Sequence, residues 1–331
     1  MTTDYTWVHA IIWPVLNALL GIILIEYCWE RTRPIREIDE ARDSKYPAFR
    51  RYDAVKWSRW KFYPGAVTFM FPRLFIMFFN LFLCWVFTLI ITLGSNIENQ
   101  PIRGWRKKII NCLYWTQAKL EGIFYFYRTS YKKVDFDYSY YLGEDYMKTQ
   151  QLPARISTFV SNHASWYDPL LLHACLGCGF AAKKELKNTP IAGVIAKALG
   201  CIFISRGGSP EELQKIVEDI QERQNLIEQK GEYPPFMVFA EGGTSNGTCL
   251  LPFKRGAFQS IKAVTPVFIK YKYGTMSQCY DVVPFIALIM MNLCLIDFAF
   301  EVVQLPPFLP NDYLFKTHSD KFQSAPPPAA A

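Results

Sequence analysis

Two long apolar runs lie near the start of the chain, and beyond them the apolar residues fall into short blocks. Residues 7–27 form a 21-residue apolar stretch interrupted by His9, Asn17 and Glu26. That is long enough to cross a bilayer. No Lys or Arg precedes it, so it lacks the basic lead of a cleaved secretory signal and reads as a retained membrane helix. Residues 74–93 are twenty residues without a charge, too long and too uniform for a helix of a soluble core. The apolar character of this segment already begins at Ala66 and takes in Pro72 and Arg73. Residues 66–93 are therefore expected to form a re-entrant hairpin that bends near Pro72 or Asn80, the alternative being one straight span. A third run, residues 282–296, is short for a span and predicts a buried or interfacial helix.

From about residue 100 the periodicity becomes that of a mixed α/β domain. Residues 156–160, 201–204, 236–240 and 264–269 read as strands. A helix is predicted over 169–175, with Asp168 as N-cap, Pro169 in the first helical position and Gly177 just past the end. Ser209-Pro-Glu-Glu212 is a capping-box start for a helix reaching about Lys230, with Leu213, Ile216, Ile220 and Ile227 on one face. Alternating strands and helices imply an open, largely parallel sheet with flanking helices, preceded by membrane-embedded helices. The expected organisation is a membrane-anchoring region over 1–99, with a basic linker at 28–65, and a catalytic domain over 100–323. A low-complexity, disordered or extraneous tail follows over 324–331.

Composition narrows this picture. The chain has 331 residues, 36 Lys and Arg against 29 Asp and Glu, a net charge of +7, 51% hydrophobic and 16% aromatic residues. Such a chain is neither disordered nor a small disulfide scaffold. The mean hydropathy of +0.05 is too low for a polytopic transporter. Residues 28–65 hold ten of the basic residues, including Arg50, Arg51, Lys56, Arg59 and Lys61 among Trp57, Trp60, Phe62 and Tyr63. Basic residues interleaved with aromatics suit an anionic membrane surface, and a solvated loop remains the alternative. Nine cysteines are scattered, and the close pair Cys175-Leu-Gly-Cys178 lacks a second ligand pair. Buried thiols in a reducing compartment are expected, with no metal site.

The chemistry gathers at the predicted strand ends. In Ser161-Asn-His-Ala-Ser-Trp-Tyr-Asp168, His163 and Asp168 are five residues apart, which on a helix would put them about 140° from a common face. In a loop between strand and helix they can meet, with Asp168 orienting the imidazole and His163 acting as general base. Arg206, followed by Gly207 and Gly208, ends another strand, where guanidinium and backbone could meet a phosphate. Phe239-Ala-Glu-Gly-Gly-Thr-Ser-Asn-Gly247 ends a third, offering Glu241, Gly242, Gly243 and the hydroxyls of Thr244 and Ser245, with Lys254 and Arg255 beyond. Strand carboxyl ends are where such sheets bind ligands.

These blocks resemble the glycerol-phosphate and lysophospholipid acyltransferases. Asn162-His163 to Asp168 is similar to the family's His-x4-Asp catalytic block. Gly200-Cys-Ile-Phe-Ile-Ser-Arg206 is similar to its second block, Phe239-Ala-Glu241-Gly-Gly-Thr244 to its third, and Val264-Thr-Pro266-Val267 to its fourth. The run from Ser245 to Phe258, and Val302-Val-Gln-Leu-Pro-Pro307, look like the lysophosphatidylcholine and lysophosphatidylethanolamine branch. The third block carries an extra glycine, and Ala240 stands where Pro is common. The resemblance, over about residues 100–310, implies catalysis by His163 and Asp168. It also implies substrate binding by Asn162, Arg206, Glu241, Gly242, Gly243, Thr244 and Lys254. Acyl-CoA would be co-substrate, with no cofactor, no metal and no covalent acyl-enzyme. The expected partners are a lysophospholipid and the bilayer, not nucleic acid, with the domain on the cytosolic face of the endoplasmic reticulum. Lysophosphatidic acid or glycerol 3-phosphate as acceptor stays open, as does a membrane-binding or membrane-shaping protein without turnover.

Overall fold

In the computed structural model the described residues are 6–98, 100–205, 209–280 and 282–319. Seven strands, β1 (Arg128–Lys133), β2 (Thr158–Ser161), β3 (Gly179–Lys183), β4 (Ile202–Ile204), β5 (Phe236–Phe239), β6 (Val264–Tyr273) and β7 (Phe298–Gln304), form one sheet in the order β1-β7-β6-β2-β5-β3-β4. Neighbours are parallel except β6 and β7. The sheet is thus the largely parallel one expected, with a reversed pair, β7 and β1, at one edge. β2 lies between β5 and β6, placing Ser161 beside both Phe239 and Val267. This register brings the first and third sequence blocks to the same carboxyl edge.

The helices that matter for the site are α1 (Thr6–Arg31), α2 (Arg59–Thr68), α3 (Met70–Thr92), α4 (Gly104–Phe124), α5 (Asp168–Leu176), α6 (Ala192–Ala198), α7 (Pro210–Asn225) and α8 (Phe285–Leu293). α5 ends at Gly177, whose φ of 62° is the left-handed C-cap that glycine tolerates. The capping box at Ser209 and Glu212 is formed in both directions. α8, from the shortest apolar run, is buried over most of its length, with Leu288 and Met291 fully enclosed.

α1, α2 and α8 pack closely because glycine removes the side chain at both crossings. A Cβ on Gly21 would collide with the Ala66 carbonyl, and one on Gly65 with that of Cys294. One core cluster therefore runs from Ile25, Phe62 and Met70 into Leu288, Phe298 and Met237. α1 and α3 each contain a stretch long and apolar enough to cross a membrane. α3 is also tied to its neighbours near both ends. The Arg73 guanidinium, 2% exposed, donates to the carbonyls of Leu293 and Leu295 at 2.7 Å and of Phe124 at 3.1 Å. Farther along, Thr88 and the Tyr114 hydroxyl of α4 are hydrogen-bonded, and Trp85 donates to the Pro190 carbonyl.

Three expectations are corrected here. α3 runs unbroken through Pro72 and Asn80, and the chain breaks instead at Phe69, between α2 and α3. Pro72 falls in the first turn, where a missing N–H costs no intrahelical bond. Second, part of the basic linker turns inward. Arg51 and Asp53 form a buried ion pair at 2.7 Å, and Trp57 and Phe62 join the core, while Arg50, Lys56, Arg59 and Lys61 stay exposed. Third, Asp168 is the first helical residue of α5 rather than its cap, and Tyr167 occupies the cap position. Arg206 and residues 324–331 lie outside the described residues.

Candidate active site

Adjacent strand ends build the site. Beyond Ser161 the chain leaves β2 in a loop that delivers His163 over the end of β5, where the imidazole stacks on the Phe239 ring at 4.0 Å between centroids. The loop then turns into α5, and Asp168 points back into it. His163 Nδ1 lies 2.7 Å from Asp168 Oδ2. The same oxygen accepts the N–H groups of Ala164 at 2.9 Å and Ser165 at 3.0 Å. Asp168 Oδ1 accepts the hydroxyl of Tyr271, a β6 residue 103 positions away that no sequence motif marked. Asp168 is fully buried and His163 retains 15% side-chain exposure. Four donors converge on the two oxygens, an arrangement suited to an acceptor-only carboxylate. With Nδ1 donating to Asp168, the lone pair of the neutral ring sits on Nε2, the nitrogen available for a substrate proton.

Two further side chains hold the loop in place. Asn162 clasps β6: its Nδ2 donates to the Ile269 carbonyl at 2.9 Å and its Oδ1 accepts the Ile269 N–H at 2.8 Å. Glu241, 4% exposed, accepts the His163 N–H on Oε1 and the Leu251 N–H on Oε2, both at 2.9 Å. Both side chains were singled out as ligand groups, yet these polar atoms are engaged with backbone. Their placement makes them braces of the His163 loop and of the turn after β5.

That turn carries the rest of the third block. Gly242 has φ +76°, a conformation natural to glycine, and the Lys254 stem lies across it, 3.3 Å from where a Cβ would stand. The backbone continues in contact with the His163 loop, since the Ser245 N–H donates to the His163 carbonyl at 3.0 Å. Thr244 is fully buried, and its hydroxyl has no hydrogen-bond partner among the described residues. Asn246 is bound to the N-terminal arm, its Nδ2 donating to the carbonyls of Pro47 and Arg50 at 2.8 and 2.9 Å. The His163–Asp168 pair, the glycine turn, Thr244 and Lys254 are thus brought together, and β4 ends at Ile204.

The cysteine pair lies elsewhere. Cys178 is fully buried, and burial pushes its thiol far up from the ordinary value. His173 hydrogen-bonds the Cys178 carbonyl at 2.9 Å. Among the described residues no group of three or more His, Cys, Asp or Glu is arranged to hold a metal ion.

Comparison with known proteins bears on this geometry. Residues 146–282 match the family model described as Acyltransferase. Lysophospholipid acyltransferase LPEAT1 of Arabidopsis thaliana is 33% identical over 159 residues, 48% of this chain and 40% of that protein. Lysophosphatidylcholine acyltransferase 1 of Homo sapiens is 27% identical over 248 residues, 73% of this chain and 43% of that protein. The chain spans about two fifths of the length of these curated relatives. Among solved structures, the 1-acyl-sn-glycerophosphate (LPA) acyltransferase PlsC of Thermotoga maritima aligns with a TM-score of 0.48 and 17% identity, over 78% of this chain and 94% of that one.

Proposed function

Since residues 146–282 match the acyltransferase family model, we propose that the protein transfers an acyl chain from acyl-CoA to the free hydroxyl of a lysophospholipid. The observation that carries the reading is the 2.7 Å contact between His163 Nδ1 and buried Asp168, at the edge where two sequence blocks meet. His163 Nε2 takes the proton of the acceptor hydroxyl as its oxygen attacks the thioester carbonyl. The carbon–sulfur bond then breaks, and the imidazolium returns the proton to the departing CoA sulfur. Asp168 stabilises the imidazolium between the two steps. The thioester supplies the driving force, so the protein's part is to position and to deprotonate. Acyl-CoA enters as co-substrate, and the reading involves no resident cofactor.

In this reading the turn at Gly242 and Gly243, the Thr244 hydroxyl, Lys254 and Arg206 receive the acceptor phosphate, while Glu241 and Asn162 shape the loop beside it. The net charge of +7 suits anionic substrates and an anionic bilayer. α1 and α3 are the proposed membrane elements, with the catalytic edge on the cytosolic side, at the endoplasmic reticulum. The ties of α3 to the Leu293 and Leu295 carbonyls at one end and to Tyr114 at the other support a helix lying along the domain, with the Lys/Arg-rich segments 28–65 and 103–133 on one face of the membrane.

Release of CoA thiol from acyl-CoA in the presence of lysophospholipid tests the proposal. His163→Ala is expected to lower the rate roughly a thousandfold, within the range of general-base contributions. Folded His163→Ala protein with near-normal turnover would sink the mechanism.

A further inference from the structure

We infer that Tyr271 is a positioning residue for the acyl transfer, its hydroxyl fixing the rotation of the Asp168 carboxylate against which the His163 ring is set; this rests on the reading of His163 as the base. The two oxygens of Asp168 are served differently. Oδ2 takes three donors from its own loop, at 2.7 Å from His163 Nδ1, 2.9 Å from Ala164 N and 3.0 Å from Ser165 N. Among the described residues Oδ1 takes Tyr271 alone, from β6. Asp168 is fully buried, so in the folded protein no bulk water shares that oxygen with the Tyr271 hydroxyl. The loop by itself holds one end of the carboxylate, and Tyr271 holds the other.

The placement of Tyr271 is rigid. It stands on β6 two residues beyond Ile269, the residue clasped by Asn162 through both its N–H and its carbonyl. Its ring packs edge-on against Phe300 of β7 at 4.8 Å between centroids. Phenylalanine would fill that volume equally well, so packing alone does not account for a hydroxyl here. Burial and the neighbouring Asp168 charge hold the phenol well above its ordinary pKa, so it remains a donor through the working range of pH. A hydrogen bond to a charged, buried acceptor is among the stronger ones a fold can offer. Its loss leaves Oδ1 without its cross-strand donor, and the imidazole with a less fixed partner.

The test compares Tyr271→Phe with the unaltered full chain in the thiol-release assay. kcat is expected to fall roughly tenfold to a hundredfold. KM for both substrates should stay within about twofold, because the hydroxyl acts through Asp168 and touches neither substrate. The downfield proton resonance of His163 Nδ1–H should move in the variant, a signature that a purely structural role would leave in place. Tyr273→Phe removes a hydroxyl from the same strand and should change neither kcat nor that resonance. If Tyr271→Phe keeps full kcat, or loses activity through KM alone, the positioning role is overturned. Should that variant lose its fold, fluorotyrosine at position 271 keeps the ring and strengthens the donor, and an unmoved resonance would then overturn the proposal. An active His163→Ala protein defeats the reading of the base itself, whereas inactive His163→Ala beside fully active Tyr271→Phe defeats only the role of Tyr271.

Discussion

Asp168 and Glu121 are both acidic side chains sealed inside the protein, 0% and 5% exposed, yet their surroundings differ. Asp168 lies at the carboxyl edge of the sheet and receives His163, Tyr271 and two backbone N–H groups. Glu121 lies on the inner face of α4, and its recorded hydrogen bond is a 3.2 Å contact from the Gln117 amide. Burial pushes the Glu121 carboxyl up to about 7, and Gln117 pulls it only partly back. Equal burial thus coexists with a site built to hold charge and one that resists it. What separates them is the supply of donors, and that supply comes from loops and strand ends rather than from helix faces, whose backbone N–H groups are already spent.

Glu241 resembles Asp168 in this respect, and removing it should have the largest effect. Glu241→Ala removes the acceptor of the part-buried N–H groups of His163 and Leu251, at about 1–3 kcal/mol each. A stability loss of about 2–6 kcal/mol in urea titration, with turnover falling alongside, is the expected result. Full activity would show that the loop keeps its shape without this brace.

Glu121 should respond in the opposite sense. Its folded carboxyl holds the proton up to about pH 7, while the unfolded chain releases it near 4.5. The folded state therefore binds more protons in that window, and stability falls as pH rises through it. In Glu121→Gln this loss disappears. Variant and parent should coincide below about pH 4.5 and differ by roughly 3 kcal/mol at pH 8, the variant being more stable. Equal denaturation midpoints at pH 8 would place Glu121 among the well-paired carboxylates. The smallest effect belongs to Gln117→Leu, which removes the recorded donor to Glu121. It should move that titration above 7 and cost about 1 kcal/mol at pH 8, with little change at pH 4.

Local signals in the sequence determined a good part of this protein. Four strand segments, the capping box at Ser209, the Gly177 stop and the His163–Asp168 pair are each written within a few residues, so they survive without knowledge of the fold. The ordered blocks likewise located the glycine turn and its neighbours. β1, β3 and β7 went unread: β1 is a charged edge strand, Arg-Thr-Ser-Tyr-Lys-Lys, exposed throughout, β3 is rich in small residues, and β7 follows directly on the third apolar run. α4 was missed because its faces are inverted: Gln117 and Glu121 turn inward while Trp105, Trp115 and Ile123 stay exposed. What each polar side chain does was decided by tertiary structure alone. Asn162 and Glu241 read as ligand groups until Ile269 and Leu251 arrive to engage them, 107 and 10 residues away. Arg51 read as a surface cation until it met Asp53 and the carbonyl of Ser277, 226 positions on. Tyr271 had no motif at all. A polar atom in a buried place must find a partner, and the sheet order β6-β2-β5, set by long-range pairing, determines which partners lie within reach.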